Sequence, residues 1–246
     1  MYQQELARSG AALFKVRGKY LISVIAIGAV IAFLSGAIGP FATPSANLAW
    51  FWVSLGIAVA GALIRVVTSG YAALGTSGNC KSEAVASELN TTGPYSLVRN
   101  PLYLGRILNF SGIAMLSGNW VYAALVFLIS VLVYERISVY EEEFLRKEFG
   151  DAHAKWAQDV PFLLPRLRGW VKPKYPFWWR RCVLRENTKV FAVISVPILN
   201  HFARMGFDVG QLTELAGWFY FWVGVAAIEL IVVNLRKFTK TFDAIS

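Results

Sequence analysis

Two short stretches hold most of the side chains that could do chemistry. The first is Thr91-Thr92-Gly93-Pro94-Tyr95-Ser96-Leu97-Val98-Arg99-Asn100-Pro101-Leu102-Tyr103-Leu104-Gly105. Gly93-Pro94 makes a turn, and Asn100, preceding a proline, is pushed out of helical conformation. Pro101 suits the first turn of a following apolar helix, where its missing N–H costs nothing. Free backbone N–H groups at such a helix start can hold an anionic ligand group. Tyr95 and Tyr103 add two phenols at this boundary, and Gly105 permits close approach to the backbone. The same residues also suit an ordinary helix entrance with interfacial tyrosines.

The second stretch is Glu135-Arg136-Ile137-Ser138-Val139-Tyr140-Glu141-Glu142-Glu143-Phe144-Leu145-Arg146-Lys147-Glu148-Phe149-Gly150. Here an apolar helix runs straight into a charged one that ends near Gly150, a C-cap glycine. Arg136 shares a helical face with Tyr140 and Glu143, and Glu142 with Arg146. Surface ion pairs account for Glu143, Arg146, Lys147 and Glu148. They account less well for Glu135 and Arg136, which lie where the chain leaves the membrane and burying charge is costly.

The elements that must position these residues are membrane helices. Hydrophobic residues make up 56% of the 246 positions and charged ones only 16%, against roughly 25% charged in soluble domains. That excludes a disordered chain, a collagen and a coiled coil, and leaves too little polar surface to cover an ordinary soluble globule. About six apolar stretches are candidate spans, at about 20–39, 48–74, 102–116, 120–134, 190–202 and 215–235. The first lacks a small-residue cleavage site and follows a long charged segment, so it is not read as a cleavable signal peptide.

Loop charge sets the orientation. The amino-terminal tail holds Arg8, Lys15, Arg17 and Lys19, whereas the connections around 40–47 and 117–119 carry no charge. Lys81 and Arg99 lie in the second loop, and the long fourth loop holds most of the Lys and Arg. Basic loops thus alternate with uncharged or acidic ones, which predicts both termini in the cytoplasm. Any chemistry belongs on that face. The excess of 24 Lys+Arg over 15 Asp+Glu points to an anionic leaflet rather than a nucleic acid. Tyr175, Phe177, Trp178 and Trp179, interleaved with Lys174, Arg180 and Arg181, read as a segment lying on that leaflet.

Cys80 and Cys182 fall on the reducing side, so no disulfide is expected. With His153 and His201 the only histidines and no metal-ligand spacing, no metal site is expected either. Arg65, Arg106 and Glu229 lie within predicted spans and are candidate pocket or pairing groups. Gly56, Ala60 and Gly61 read as helix-packing positions.

The pattern T-x-G-P-Y-x-x-V-R-N-P-x-Y-x-G, the later Glu-Glu pair, L-x-x-x-F-G, and Val160-Pro161-Phe162-Leu163-Leu164-Pro165 together resemble the isoprenylcysteine carboxyl methyltransferase and phospholipid methyltransferase family. The resemblance covers about 89–166. It implies an all-α membrane bundle that binds S-adenosylmethionine on its cytoplasmic side without a Rossmann domain. It also implies methyl transfer to a lipophilic acceptor reached from the bilayer: an isoprenylcysteine carboxylate, a phospholipid amine or a related lipid. Carried onto this sequence, cofactor binding falls on Gly93, Tyr95, Arg99, Asn100, Pro101, Leu102, Tyr103, Gly105, Glu141 and Glu142. Catalysis falls on Glu142 and Arg136.

Two departures stand out. Asn100 replaces the family's commoner His, and it cannot take up a proton near neutral pH. Arg136 lies five residues before Glu141 where the family often has four, a rotation of about 100°. The chain then divides into helices of 1–88, a methyltransferase-like core of 89–168, and an interfacial segment with two further spans in 169–246. The expected setting is a bacterial inner membrane, multi-pass. The rival activities are an NADPH-dependent membrane reductase of the sterol-reductase type and a non-enzymatic scaffold.

Overall fold

The computed structural model describes residues 2–36, 38–76, 86–208, 210 and 217–239. Cys80, Lys81 and Glu83 lie outside them. Among the described residues six α-helices run in order: α1 Tyr2–Ser35, α2 Pro44–Tyr71, α3 Pro101–Met115, α4 Trp120–Asp159, α5 Trp179–Arg204 and α6 Gly217–Phe238. Among the described residues there is no strand. The all-α expectation holds.

Local sequence explains most boundaries. α1 stops at Gly36, whose φ of +63° suits glycine and whose N–H bonds to the Ala32 carbonyl. α2 and α3 each begin at a proline, where no N–H is wanted. Asn119 caps α4, its side chain accepting the Tyr122 N–H at 2.9 Å. α4 has 40 residues, and its continuous piece 120–149 is about 45 Å long, one and a half times the hydrocarbon core of a bilayer. The helix is interrupted at Gly150 (φ 46°, ψ −120°), the predicted end of the charged helix. A second helical piece follows the break.

Among the described residues four helices are long and apolar enough to cross a membrane: α1 (from Gln4), α2, α4 and α6. The chain is a multi-pass membrane protein. α3 has only 15 residues, about 22 Å. α5 begins eleven residues before the span read at 190–202, because Arg180, Arg181, Arg185, Glu186 and Lys189 are all helical.

The amino-terminal segment is helical because it pairs with α4. The two run antiparallel: Phe14 packs on Tyr140 at 5.7 Å, Tyr20 OH lies 3.3 Å from Ser130 Oγ, and Tyr122 OH donates to the Val24 carbonyl at 2.7 Å. α2 and α3 also run antiparallel and touch backbone to backbone. A Cβ on Gly61 would fall 2.5 Å from both the Asn109 nitrogen and the Gly105 oxygen, and one on Gly112 would fall 2.4 Å from the Ala58 nitrogen. Asn109 Nδ2 bridges the pair to the Ala58 carbonyl at 3.0 Å. Small residues that admit such contact are a common basis of helix pairing in membranes. Gly56, read as a packing position, meets nothing within 4 Å.

α5 covers the end of α2 and the turn after it. Fully buried Arg181 donates to the Ala72, Ala73 and Thr76 carbonyls of the turn that follows α2, buried groups that need a partner. Arg181 is therefore an internal clamp, not the leaflet contact read from its aromatic neighbours. α6 packs on α5, where Glu229 accepts from Asn187 Nδ2 at 3.1 Å and from Thr188 Oγ1 at 3.1 Å. It has no buried residue of its own.

Candidate active site

Glu141 and Glu142 lie in the second half of α4, past its apolar first twenty or so residues. There they meet the residues at the start of α3. Tyr103 OH donates to Glu141 Oε1 at 2.8 Å. Asn100 Nδ2 donates to Glu142 Oε1 at 3.2 Å and to the Phe162 carbonyl at 3.1 Å. Arg99 Nε lies 3.3 Å from the same Glu142 oxygen, and its guanidinium sits 5.4 Å from the Phe162 ring.

The loop before α3 is held from outside. Gly93 adopts φ +60° and its N–H bonds to the Val171 carbonyl at 2.9 Å. The Tyr95 carbonyl accepts from Trp156 Nε1 at 3.1 Å. Arg99 N–H bonds to the Pro161 carbonyl at 2.9 Å, and Arg166 reaches back to Leu97 and Ser96. The Val160–Pro165 stretch thus closes over the motif. Asn100 is the residue before α3, yet its side chain makes no cap bond to that helix. It is spent on Glu142 and Phe162 instead.

Burial pushes the Glu142 carboxyl above its ordinary value, with Arg99 and Asn100 pulling it part of the way back. Burial likewise raises Glu141, opposed by the Tyr103 hydroxyl and by the charge of Arg17 from α1. Both carboxylates are only partly compensated by the protein. A cationic ligand group would favour their ionised form.

Five of the expected residues converge here: Arg99, Asn100, Tyr103, Glu141 and Glu142. Gly93 and Tyr95 fix the approach loop, and Pro101 opens α3. The Leu102 carbonyl accepts from Arg65 Nη1 at 2.9 Å. Gly105 faces α2, where a Cβ would fall 2.7 Å from Arg65 Cγ and from the Gly61 oxygen. Its smallness serves helix packing. Arg136 is not brought in. Six residues from Glu142 is about 240° around the helix, and its guanidinium donates to the Leu132 carbonyl on its own helix at 2.9 Å. It lines a shallow apolar groove with Leu13, Ile129, Leu132 and Val133. The arginine that meets Glu142 is Arg99.

Glu186, the partner of Arg65, escaped sequence reading; a lone acid in the basic run 180–189 was the available signal. Arg17, on α1, had none beyond its charge.

Residues 51–152 match the family model described as phospholipid methyltransferase. Among curated proteins, the cobalt-zinc-cadmium resistance protein CzcN of Cupriavidus metallidurans is 31% identical over 119 residues, 47% of this chain and 52% of its own length. The nickel-cobalt-cadmium resistance protein NccN of Alcaligenes xylosoxydans xylosoxydans is 30% identical over 119 residues, 47% of this chain and 53% of its own. The protein-S-isoprenylcysteine O-methyltransferase of Schizosaccharomyces pombe is 33% identical over 95 residues, 36% of this chain and 40% of its own. The chain spans about half the length of the curated relatives it matches. No solved structure matches it significantly. The matched region 51–152 holds both the Arg99–Tyr103 entrance and the Glu141-Glu142 pair, and through it the chain carries the sequence pattern of the phospholipid methyltransferase family.

Proposed function

We propose that the protein is an integral membrane methyltransferase that uses S-adenosylmethionine and a lipophilic acceptor from the bilayer, with its site on the cytoplasmic side. The observation that carries this reading is the convergence of Tyr103 on Glu141, and of Arg99 and Asn100 on Glu142, just past the apolar first half of α4. The donor set fits the cofactor. Among the described residues Glu141 accepts a hydrogen bond from the neutral Tyr103 alone, so it can receive the amino-acid ammonium. When bound, S-adenosylmethionine supplies an electrophilic methyl group.

The protein's part is orientation, exclusion of water and proton management. Segment 89–168 forms the methyltransferase-like core, with 160–165 closing over it. For an amine or thiol acceptor, Glu142 takes the proton that must leave before the lone pair can attack. Its raised pKa suits that duty. For a carboxylate acceptor no base is needed, and Arg99 orients the nucleophile.

Detergent-solubilised protein titrated with S-adenosylhomocysteine and with NADP separates this reading from a membrane reductase. Stabilisation by S-adenosylhomocysteine is expected, and stabilisation by NADP alone sinks the proposal. Incubating membranes with methyl-labelled S-adenosylmethionine, followed by mass spectrometry of the lipid fraction, identifies the acceptor. Labelled lipid is expected only where the chain is expressed.

A further inference from the structure

Between α4 and α5 the chain runs over 160–178 without helix or strand, a strap fastened on its inner side. The Trp178 N–H bonds to the Gly70 carbonyl at 2.9 Å. Phe177 packs on Tyr71 with ring centroids 5.2 Å apart, and Lys174 and Tyr175 both donate to Glu88. Val171 is held at both backbone groups, its carbonyl by the Gly93 N–H at 2.9 Å and its N–H by Ser96 Oγ at 3.0 Å. Gly70 and Tyr71 are the last two residues of α2, one of the helices long and apolar enough to cross a membrane. The strap therefore lies beside the place where such a helix ends.

Its outward side is apolar and cationic. Leu164 is 77% exposed, Leu167 97%, Trp170 53% and Val171 48%. None of the four lies in a helix, so lipid contact along a span does not account for them. Arg168 and Lys172 alternate with them and are also exposed; among the described residues no acid pairs with either. The sequence from 160 to 185 holds no Asp or Glu at all. A cluster of exposed leucine and tryptophan marks a contact surface. Interleaved with cations, it suits a lipid headgroup layer, with the apolar groups inserted and the charged heads at the phosphates. The unpaired cations select an anionic surface. Tyr175 and Phe177, read from sequence as part of a leaflet segment, are spent on Glu88 and Tyr71, so the contact shifts to the residues before them.

We infer that residues 164–172 dock on the anionic headgroup layer of the surrounding membrane, with Leu164, Leu167 and Trp170 inserted and Arg168 and Lys172 at lipid phosphates. The lipid is the bulk leaflet, not a methyl acceptor, and the segment lies outside the matched region 51–152. Docking reaches the candidate site through printed backbone contacts of the same strap. The Pro161 carbonyl accepts the Arg99 N–H at 2.9 Å, the Phe162 carbonyl accepts Asn100 Nδ2 at 3.1 Å, and Arg166 holds the Leu97 and Ser96 carbonyls at 3.0 Å each. A strap held on the leaflet keeps Arg99 and Asn100 at Glu142. On the methyltransferase reading, on which this consequence alone rests, an anionic membrane tightens cofactor binding.

The test uses the full chain in nanodiscs of phosphatidylcholine, alone or mixed with phosphatidylglycerol, each carrying lipid brominated on the upper acyl chain. Quenching of Trp170 is read as the difference between wild type and Trp170→Phe. It should be strong in anionic discs, weaker in neutral ones, and reduced by added salt. Arg168→Gln with Lys172→Gln should lower the docked-to-undocked ratio by roughly tenfold or more without moving the unfolding midpoint. Arg168→Lys with Lys172→Arg should preserve it, and Leu167→Asp should weaken quenching in both discs. An unquenched Trp170 in anionic discs overturns the inference, as does quenching that is equal in the two discs and unchanged by the double glutamine variant. Titration of the same discs with S-adenosylhomocysteine keeps the two readings apart. Affinity should be several-fold higher in anionic discs, a gain lost in the double glutamine variant, and equal affinity despite docking refutes the coupling. Docking without any cofactor binding refutes the methyltransferase reading and leaves the surface standing, whereas cofactor binding without docking refutes the surface alone.

Discussion

Tyr103→Phe tests the proposed site with the smallest perturbation available. It removes one hydroxyl that donates to Glu141 Oε1 at 2.8 Å and leaves the ring stacked on Tyr134. A hydrogen bond to a charged group contributes about 1.5–3 kcal/mol, which converts to roughly 10- to 150-fold in affinity. The loss acts in two ways. Glu141 loses the bond that orients it, and its carboxyl pKa, already raised by burial, rises further because the Tyr103 bond had been lowering it. The assay is calorimetric titration of detergent-solubilised protein with S-adenosylhomocysteine, alongside thermal unfolding. Affinity should fall at least about tenfold while the unfolding midpoint moves little, since the ring packing survives. Glu141→Gln should behave alike, and the double variant should cost less than the sum of the two, because both remove one interaction. Affinity of Tyr103→Phe within twofold of wild type, or strict additivity, would refute the assignment of Glu141 to the cofactor.

Three further outcomes are expected. Both site carboxyls lie above their ordinary value of 4.5, so the fold favours their protonated form; that contribution to stability is present below the unfolded pKa and lost as pH rises through the folded one. Acidification through this window should therefore raise thermal stability of the free protein while lowering S-adenosylhomocysteine affinity, and Glu142→Gln should flatten its share of both, as paired melting and titration series would read. Gly61→Ala should destabilise by about 1–3 kcal/mol, since its Cβ would meet α3 backbone at 2.5 Å, whereas Gly56→Ala, with nothing within 4 Å, should be neutral or slightly stabilising in the same unfolding assay. Glu186→Gln strips Arg65 of its buried counter-charge and should cost about 3–5 kcal/mol, most of it recovered in Arg65→Met with Glu186→Met.

The apolar stretches were legible because membrane helices satisfy their backbone internally, so length and hydropathy suffice to find them. The Arg99–Tyr103 entrance and the Glu141-Glu142 pair were legible because each is a contiguous stretch with local punctuation: a proline, a turn glycine, a C-cap glycine. Less visible was which face each residue takes. Arg136 and Glu142 lie on one helix only six residues apart, yet the twist of that helix sends Arg136 toward α1 and leaves Arg99, from another element, to meet Glu142. Gly105 looked like room for a ligand and proved to be room for α2.

What the sequence by itself determined is the composition of an α-helical membrane protein, the helix starts at Pro44 and Pro101, and the two motifs that carry the family likeness. These depend on interactions within a few residues or on solvent alone. Pairing across the chain was decided only in the tertiary structure: Arg65 with Glu186, 121 positions apart, Arg181 with the carbonyls after α2, and Arg99 with Glu142. Charged side chains buried in a bundle are fixed by which helices pack together, and a linear chain with several arginines and few acids leaves many pairings open until the helices meet.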